Sequence, residues 1–162
     1  MTPRQHEVWT AEDRLVVVLS PDDVCEREQD IRVALMTHVV EERAMEEGDV
    51  LVEFGTDIME LVDTSPHNLM LIECWNDFGM FKVQLGERVG ICRPEVGEKI
   101  KHGLRLNYGV SEFSSLAEVV ASTTGGRIVS DEFFEKELAV SERLGQALHR
   151  YYYDLASQDE ES

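Results

Sequence analysis

Cysteine, lysine and long apolar runs are all scarce in this chain, and each shortage removes a class of protein. Cys25, Cys74 and Cys92 are the only cysteines, odd in number, widely spaced and without a CxxC pair. That pattern encodes neither a disulfide framework nor a zinc ribbon; it reads as small buried hydrophobes in a reducing compartment. The longest unbroken apolar run is Leu15–Leu19, far below the ~20 residues a bilayer span requires. The N-terminal MTPRQHEVW holds no apolar signal core, so a cytoplasmic location is expected.

Catalytic signatures are missing as well. No G-x-S-x-G, His-Glu-x-x-His or P-loop is present, and Gly86-Glu87-Arg88-Val89-Gly90 lacks both the Lys-Ser/Thr of a P-loop and the spacing of a dinucleotide fingerprint. His38 has Glu41 and Glu42 nearby, but neither di-iron nor zincin spacing is met. No metal and no cofactor are expected, and the chain reads as non-enzymatic.

The largest shortage is positive charge. Against 33 Asp and Glu stand 15 Lys and Arg, a net charge of −18. The excess is uneven: residues 1–63 hold 17 acids and 5 bases, 64–109 hold 5 and 6, and 110–162 hold 11 and 4. Such a field repels nucleic-acid phosphates and anionic lipids and attracts cationic surfaces.

What is present is a globular chain of 162 residues, 43% hydrophobic. It reads as a single domain over 1–157 with an acidic tail over 158–162. Arg14–Leu19 is rich in β-branched residues and predicts a buried strand. Ser20-Pro21-Asp22-Asp23 supplies a helix start, and the pattern predicts a helix to Glu47, ended by Gly48. Its middle, Ile31–Val40, is apolar nearly all round, as in a helix buried on all sides. Alternation predicts strands at Val50–Phe54 and Ile58–Val62, then Leu69–Trp75 and Met80–Leu85 around an Asn76-Asp77-Phe78-Gly79 hairpin turn. Pro94 opens a helix that Gly103 would stop, Leu104–Tyr108 alternates like a short strand, and Ser111 would cap another helix. Ser130 would cap a last helix with a stripe of Phe133, Val140, Leu144, Ala147, Leu148, Tyr151 and Leu155. Trp9 is expected to fold back onto the body. The fold class is therefore α+β: an antiparallel meander of about 4–5 strands against a long N-terminal helix and two to three C-terminal helices.

Acidity and layout together suggest a protein that engages a basic partner, as an immunity-type inhibitor or a nucleic-acid mimic. The partner would be a toxin, nuclease or nucleic-acid-binding protein. Clustered acids steer association and a small aromatic centre holds the complex. Asp22, Asp23, Glu26, Glu41, Glu42, Glu46 and Glu47, at the two ends of the expected helix, are the candidate contacts, with Tyr152 and Tyr153 as anchors. One alternative is a homodimeric adaptor, similar in layout to chaperones of secreted effectors, paired through the Ile31–Val40 helix. Another is a small enzyme assembled from scattered residues, for which Glu73, Asp77, His67 and His102 are the candidates.

Overall fold

The computed structural model describes residues 2–39, 48–62, 69–113 and 131–161. The chain opens with an antiparallel hairpin, β1 (Glu7–Ala11) and β2 (Arg14–Val18), paired from Val8↔Val17 to Ala11↔Arg14. Its two-residue turn holds Glu12 at φ 55, the left-handed region that tight hairpins use. Helix α1 (Asp22–Arg27) is six residues long, and β3 (Asp30–His38) follows. Then come β4 (Asp49–Glu53), β5 (Ile58–Met59), β6 (Leu69–Phe81), a short 3-10 turn (Lys82–Gln84) and β7 (Arg88–Cys92). Two helices close the chain, α2 (Pro94–Phe113) and α3 (Asp131–Glu161).

All seven strands form one antiparallel sheet in the order β4-β6-β3-β2-β1-β7-β5. The two edge strands are consecutive in the chain, and a Phe54–Ile58 bridge joins their ends. The sheet therefore curls into a near-closed barrel, which removes most of its exposed edge.

The inner face is apolar. Val8, Leu15, Val17, Ala34, Met36, Val50, Val52, Ile58, Met70, Ile72 and Cys74 fill it, and Val96 and Ile100 of α2 pack into the same cluster. Gly103 lies within α2 and permits close approach: a Cβ there would come within 3.0 Å of Cys74 Sγ and 3.2 Å of the Gly48 carbonyl oxygen. Residues of the opposite parity, Val16, Val18, Val33, Leu35 and Met80, line the outer face, where Cys25 of α1 and Leu144 of α3 cover them.

This architecture corrects the α+β expectation in two places. The chain is mostly sheet, and no long N-terminal helix exists: Ser20-Pro21-Asp22-Asp23 does start a helix, but it ends at Arg27. Ile31–His38 is a strand at the centre of the sheet, between β2 and β6. A central strand covered on both faces has no polar side, so its hydrophobic run looks like an all-buried helix. A homodimer through an Ile31–Val40 helix loses its premise. The second place is Asn76-Asp77-Phe78-Gly79, which makes no hairpin turn: Leu69–Phe81 is one thirteen-residue strand. Trp9 is packed against the body as expected, as a buried residue of β1 itself. Gly103 does not stop α2, and Leu104–Leu106 continue it as helix. The strand at Arg14–Val18 and the strand start near Val50 are as expected. All three cysteines are buried and free, and burial pushes the Cys74 and Cys92 thiols up to about 12, so both are inert at neutral pH.

Candidate active site

The segment that suits a hairpin turn begins at a bulge. Along β3 the consecutive residues Ala34 and Leu35 face Asp77 and Glu73 of β6, so Cys74, Trp75 and Asn76 are extra residues on the β6 side. An odd insertion reverses the alternation of faces. Cys74 accordingly packs inside the barrel and Met80 outside, although both are even-numbered. Bulges re-aim side chains and often lie beside active sites.

This bulge and its neighbours gather five polar side chains beneath α3. Arg14, just past the β1–β2 turn, donates from Nη1 to Glu137 Oε2 at 2.8 Å and from Nη2 to Glu137 Oε1 at 2.9 Å. Its Nη2 also donates to the Met36 carbonyl at 2.9 Å. Asn76 Nδ2 donates to the Glu137 carbonyl at 3.2 Å and to Glu73 Oε1 at 3.5 Å. Glu73 and Thr37 lie beside the Glu137 carboxyl and favour its charged form. Glu73 is fully buried, Asn76 3% exposed and Glu137 4% exposed. Burial pushes the Glu137 carboxyl up, but the Arg14 hydrogen bond and charge, with help from Glu73 and Thr37, bring it below the usual carboxylate value. Arg14 is opposed by burial too, and its pairing with Glu137 raises it further above its already high value.

Buried charge of this kind is costly. A well-packed apolar set of the same volume is commonly as stable or more so. The arrangement instead provides a planar cation, a carboxyl able to exchange a proton, a hydroxyl and an amide at one point. Those are the groups that hold and activate a phosphodiester or a similar anion.

Two other polar groupings are less suited. A groove of about 1170 Å³ is lined by Arg4, Glu7, Trp9, Lys82 and Arg88, but Arg88 is held by Glu7 and Glu60, and Lys82 Nζ donates to the Cys25 carbonyl at 2.6 Å. A second groove, about 960 Å³, follows the seam of α3 past Arg32, Asp77, Gly79, Arg143 and Tyr152, with Arg32 paired to Asp77 at 2.6 Å. Among the described residues no group of three His, Cys, Asp or Glu side chains is placed to hold a metal ion.

The expected contact residues are scattered. Asp22, Asp23 and Glu26 are exposed on α1, where Asp23 pairs with Arg27 at 3.7 Å. Glu41, Glu42, Glu46 and Glu47 lie outside the described residues, as does His67. Tyr152 and Tyr153 are exposed on α3, and the Tyr152 hydroxyl donates to Asp30 Oδ1 at 3.4 Å. Of the residues weighed for a scattered enzyme site, Glu73 is at the bulge, Asp77 pairs with Arg32, and His102 is exposed on α2. Arg14, Thr37, Asn76 and Glu137 are not among the site candidates that the sequence offers. The one signal was a glutamate, Glu137, one turn ahead of Ser141 on the side of the helix that carries Leu144 and Leu148.

No known sequence family matches this chain, and no curated protein does. Solved structures do. An endoribonuclease from a mycobacterial species superposes with a TM-score of 0.55 at 16% identity, over 67% of this chain and 93% of that one. A mycobacterial endoribonuclease in complex with its cognate antitoxin gives 0.52 at 16% identity, over 67% and 96%. The Mycobacterium tuberculosis toxin MazF-mt6 gives 0.50 at 16%, over 66% and 97%. No helix among the described residues is long and apolar enough to cross a membrane. The shared fold overturns the reading of this chain as a non-enzymatic acidic binder, an immunity-type inhibitor or a nucleic-acid mimic: its barrel is the one on which these toxin endoribonucleases are built.

Proposed function

We propose that this chain is an RNA-cleaving enzyme with the Arg14 cluster as its active site. The observation that carries the reading is the convergence of Arg14, Thr37, Glu73 and Asn76 at a strand bulge of a fold shared with endoribonucleases. A guanidinium fork matches two oxygens of a phosphate. The Thr37 hydroxyl and the Asn76 amide are suited to the remaining phosphate oxygens. RNA carries its own nucleophile in the 2′-hydroxyl. Its oxygen bonds to the adjacent phosphorus, its proton passes to the Glu73 carboxylate, and the bond from phosphorus to the 5′-oxygen breaks. The departing oxygen takes a proton from water, and the hydroxide left behind recovers the proton from Glu73. With a net charge of −18, attraction of a polyanion has to be local to this cluster rather than global. A protein partner fits the same reading, since one structural neighbour was solved with its cognate antitoxin. The exposed acids Asp22, Asp23 and Glu26, with Tyr152 and Tyr153, are the surface we assign to it.

The test is cleavage of an RNA oligonucleotide, and of DNA of the same sequence, by the full chain and by its Glu137→Gln variant. RNA is expected to be cut, and DNA left intact, by the variant at least. Adding Arg14→Ala to that variant should slow cleavage by about 10²–10³-fold, as loss of one preorganised donor typically does. A chain carrying Arg14→Ala and Glu137→Gln that is as active as Glu137→Gln alone would end the proposal.

A further inference from the structure

We propose that α3 is a displaceable plug of this same site, with the Glu137 carboxylate holding the position on Arg14 that a substrate phosphate would take. This rests on reading Arg14 as the phosphate-binding group. A carboxylate and a phosphate present the same pair of oxygens to a guanidinium fork, and Glu137 uses both of its oxygens on Arg14. The two ligands are therefore mutually exclusive.

Three observations make α3 a removable cover rather than a core element. First, only Leu144 and Leu148 of its described residues are buried apolar side chains, and the remaining buried positions, Glu137 and Ser141, are polar. Secondly, directional contacts fix its register: Asn76 to the Glu137 carbonyl at 3.2 Å, Gln84 Nε2 to the Leu144 carbonyl at 2.9 Å, and Trp75 edge-on to Phe134 with centroids 4.8 Å apart. The helix backbone passes close to the sheet at Gly145, where a Cβ would meet the Gly79 carbonyl oxygen at 3.0 Å. The docking is thus specific, yet a groove of about 960 Å³ stays open along its seam. Thirdly, α3 carries nine acids and three bases, so its presence sets a negative field over the cluster and its departure removes one.

The experiment separates binding from cleavage. A 2′-O-methyl RNA oligonucleotide, which lacks the 2′-hydroxyl nucleophile, is titrated by fluorescence anisotropy. Amide hydrogen exchange over residues 133–150 is followed with and without it. Glu137→Gln should bind the oligonucleotide at least tenfold more tightly than the parent chain. Glu142→Gln makes the same charge change at an exposed position of the same helix and should stay within twofold. Gly145→Val lifts α3 without touching the cluster and should reproduce the gain, with retained protection in β2 and β3 showing that the barrel is folded. The oligonucleotide should also accelerate exchange in α3 of the parent chain. Unchanged affinity in both Glu137→Gln and Gly145→Val, with α3 protection indifferent to the oligonucleotide, would overturn the plug. Tighter binding with no cleavage of RNA by any variant would keep the plug and remove the ribonuclease reading. Cleavage by the parent chain as fast as by Glu137→Gln, with α3 protection intact, would do the reverse.

Discussion

The inner and outer faces of this sheet are packed on different terms. Inside the barrel the side chains of Ile72, Met36 and Val52 belong to one apolar cluster, and α2 adds Val96 and Ile100 to it. Outside, the helix that covers the sheet spends its buried positions on Glu137 and Ser141 as well as Leu144 and Leu148. Two buried leucines contribute roughly 1.5–3 kcal/mol each, a modest anchorage for a helix of 31 residues. The contrast separates a face built for stability from one built for reversible cover.

The largest effect should come from the inner face. Ile72 is fully buried there, and Ile72→Ala is expected to cost about 2–5 kcal/mol from lost transfer energy plus a residual cavity. Thermal melting should show one cooperative transition at lower temperature, with barrel and α3 lost together. If α3 protection alone fell, the inner face would not be the common core.

On the outer face the sign should depend on which partner is removed. Arg14→Met leaves the Glu137 carboxylate buried and unpaired, which should cost about 2–3 kcal/mol; this lies below the range for fully buried pairs because the Arg14 side chain is 21% exposed. Changing both, Arg14→Met with Glu137→Leu, should recover that loss, since an apolar pair of similar volume replaces a desolvated ion pair. Chemical denaturation of the three chains measures this. A double variant as unstable as Arg14→Met alone would show that the pair stabilises the fold and is not retained for another purpose.

Acid should distinguish the faces next. The Glu137 carboxyl lies below its ordinary 4.5 in the folded chain, because Arg14 outweighs the cost of burial. A lowered folded value means the contribution is complete above pH 4.5 and is lost as the pH falls through the lower folded value. Release of α3 should therefore precede loss of the barrel on acidification. Trp75, which packs against Phe134 of α3, reports it by fluorescence in a Trp9→Phe background. Circular dichroism follows the sheet. Coincident transitions would mean that α3 and the barrel are one cooperative unit.

What was legible in the sequence divides along the same line. The edge-proximal β4 alternates because one face is solvated, so its start at Asp49 was readable from Val50 and Val52. β3 was misread because Ile31, Val33 and Leu35 face α1 and α3 while Ala34 and Met36 face the interior, which erases the period-2 signal. The site was hidden for a different reason. Arg14, Thr37, Glu73 and Glu137 come from four distant points of the chain, and only the β6 bulge brings them together. Asn76 of that bulge and Gly79 just beyond it also suit a hairpin, so turn chemistry predicts two strands where there is one. Glu73 is a scattered-site candidate only as half of a carboxylate pair with Asp77 on either side of Trp75. Arg14 had no local pattern, being the first residue of a strand whose remaining positions are all apolar.

The smallest expected effect tests whether the cluster or the rim holds α3. Arg143, also on α3, reaches Glu12 at 3.1 Å and Asp13 at 3.3 Å across the β1–β2 turn. Its side chain is 49% exposed and the two carboxylates 57% and 79%, so water and salt screen both pairs. Exposed pairs of this kind contribute about 0.2–1 kcal/mol. Arg143→Ala should therefore shift the denaturation midpoint only slightly, and the shift should shrink as salt rises. Because Glu137 is held by two short hydrogen bonds in a buried setting, salt should leave its contribution nearly unchanged. Amide exchange over residues 133–150 at low and high salt compares the two directly. Were Arg143→Ala to open α3 more than Glu137→Gln does, the helix would be pinned at its exposed rim, and the buried fork would be a passenger rather than the latch.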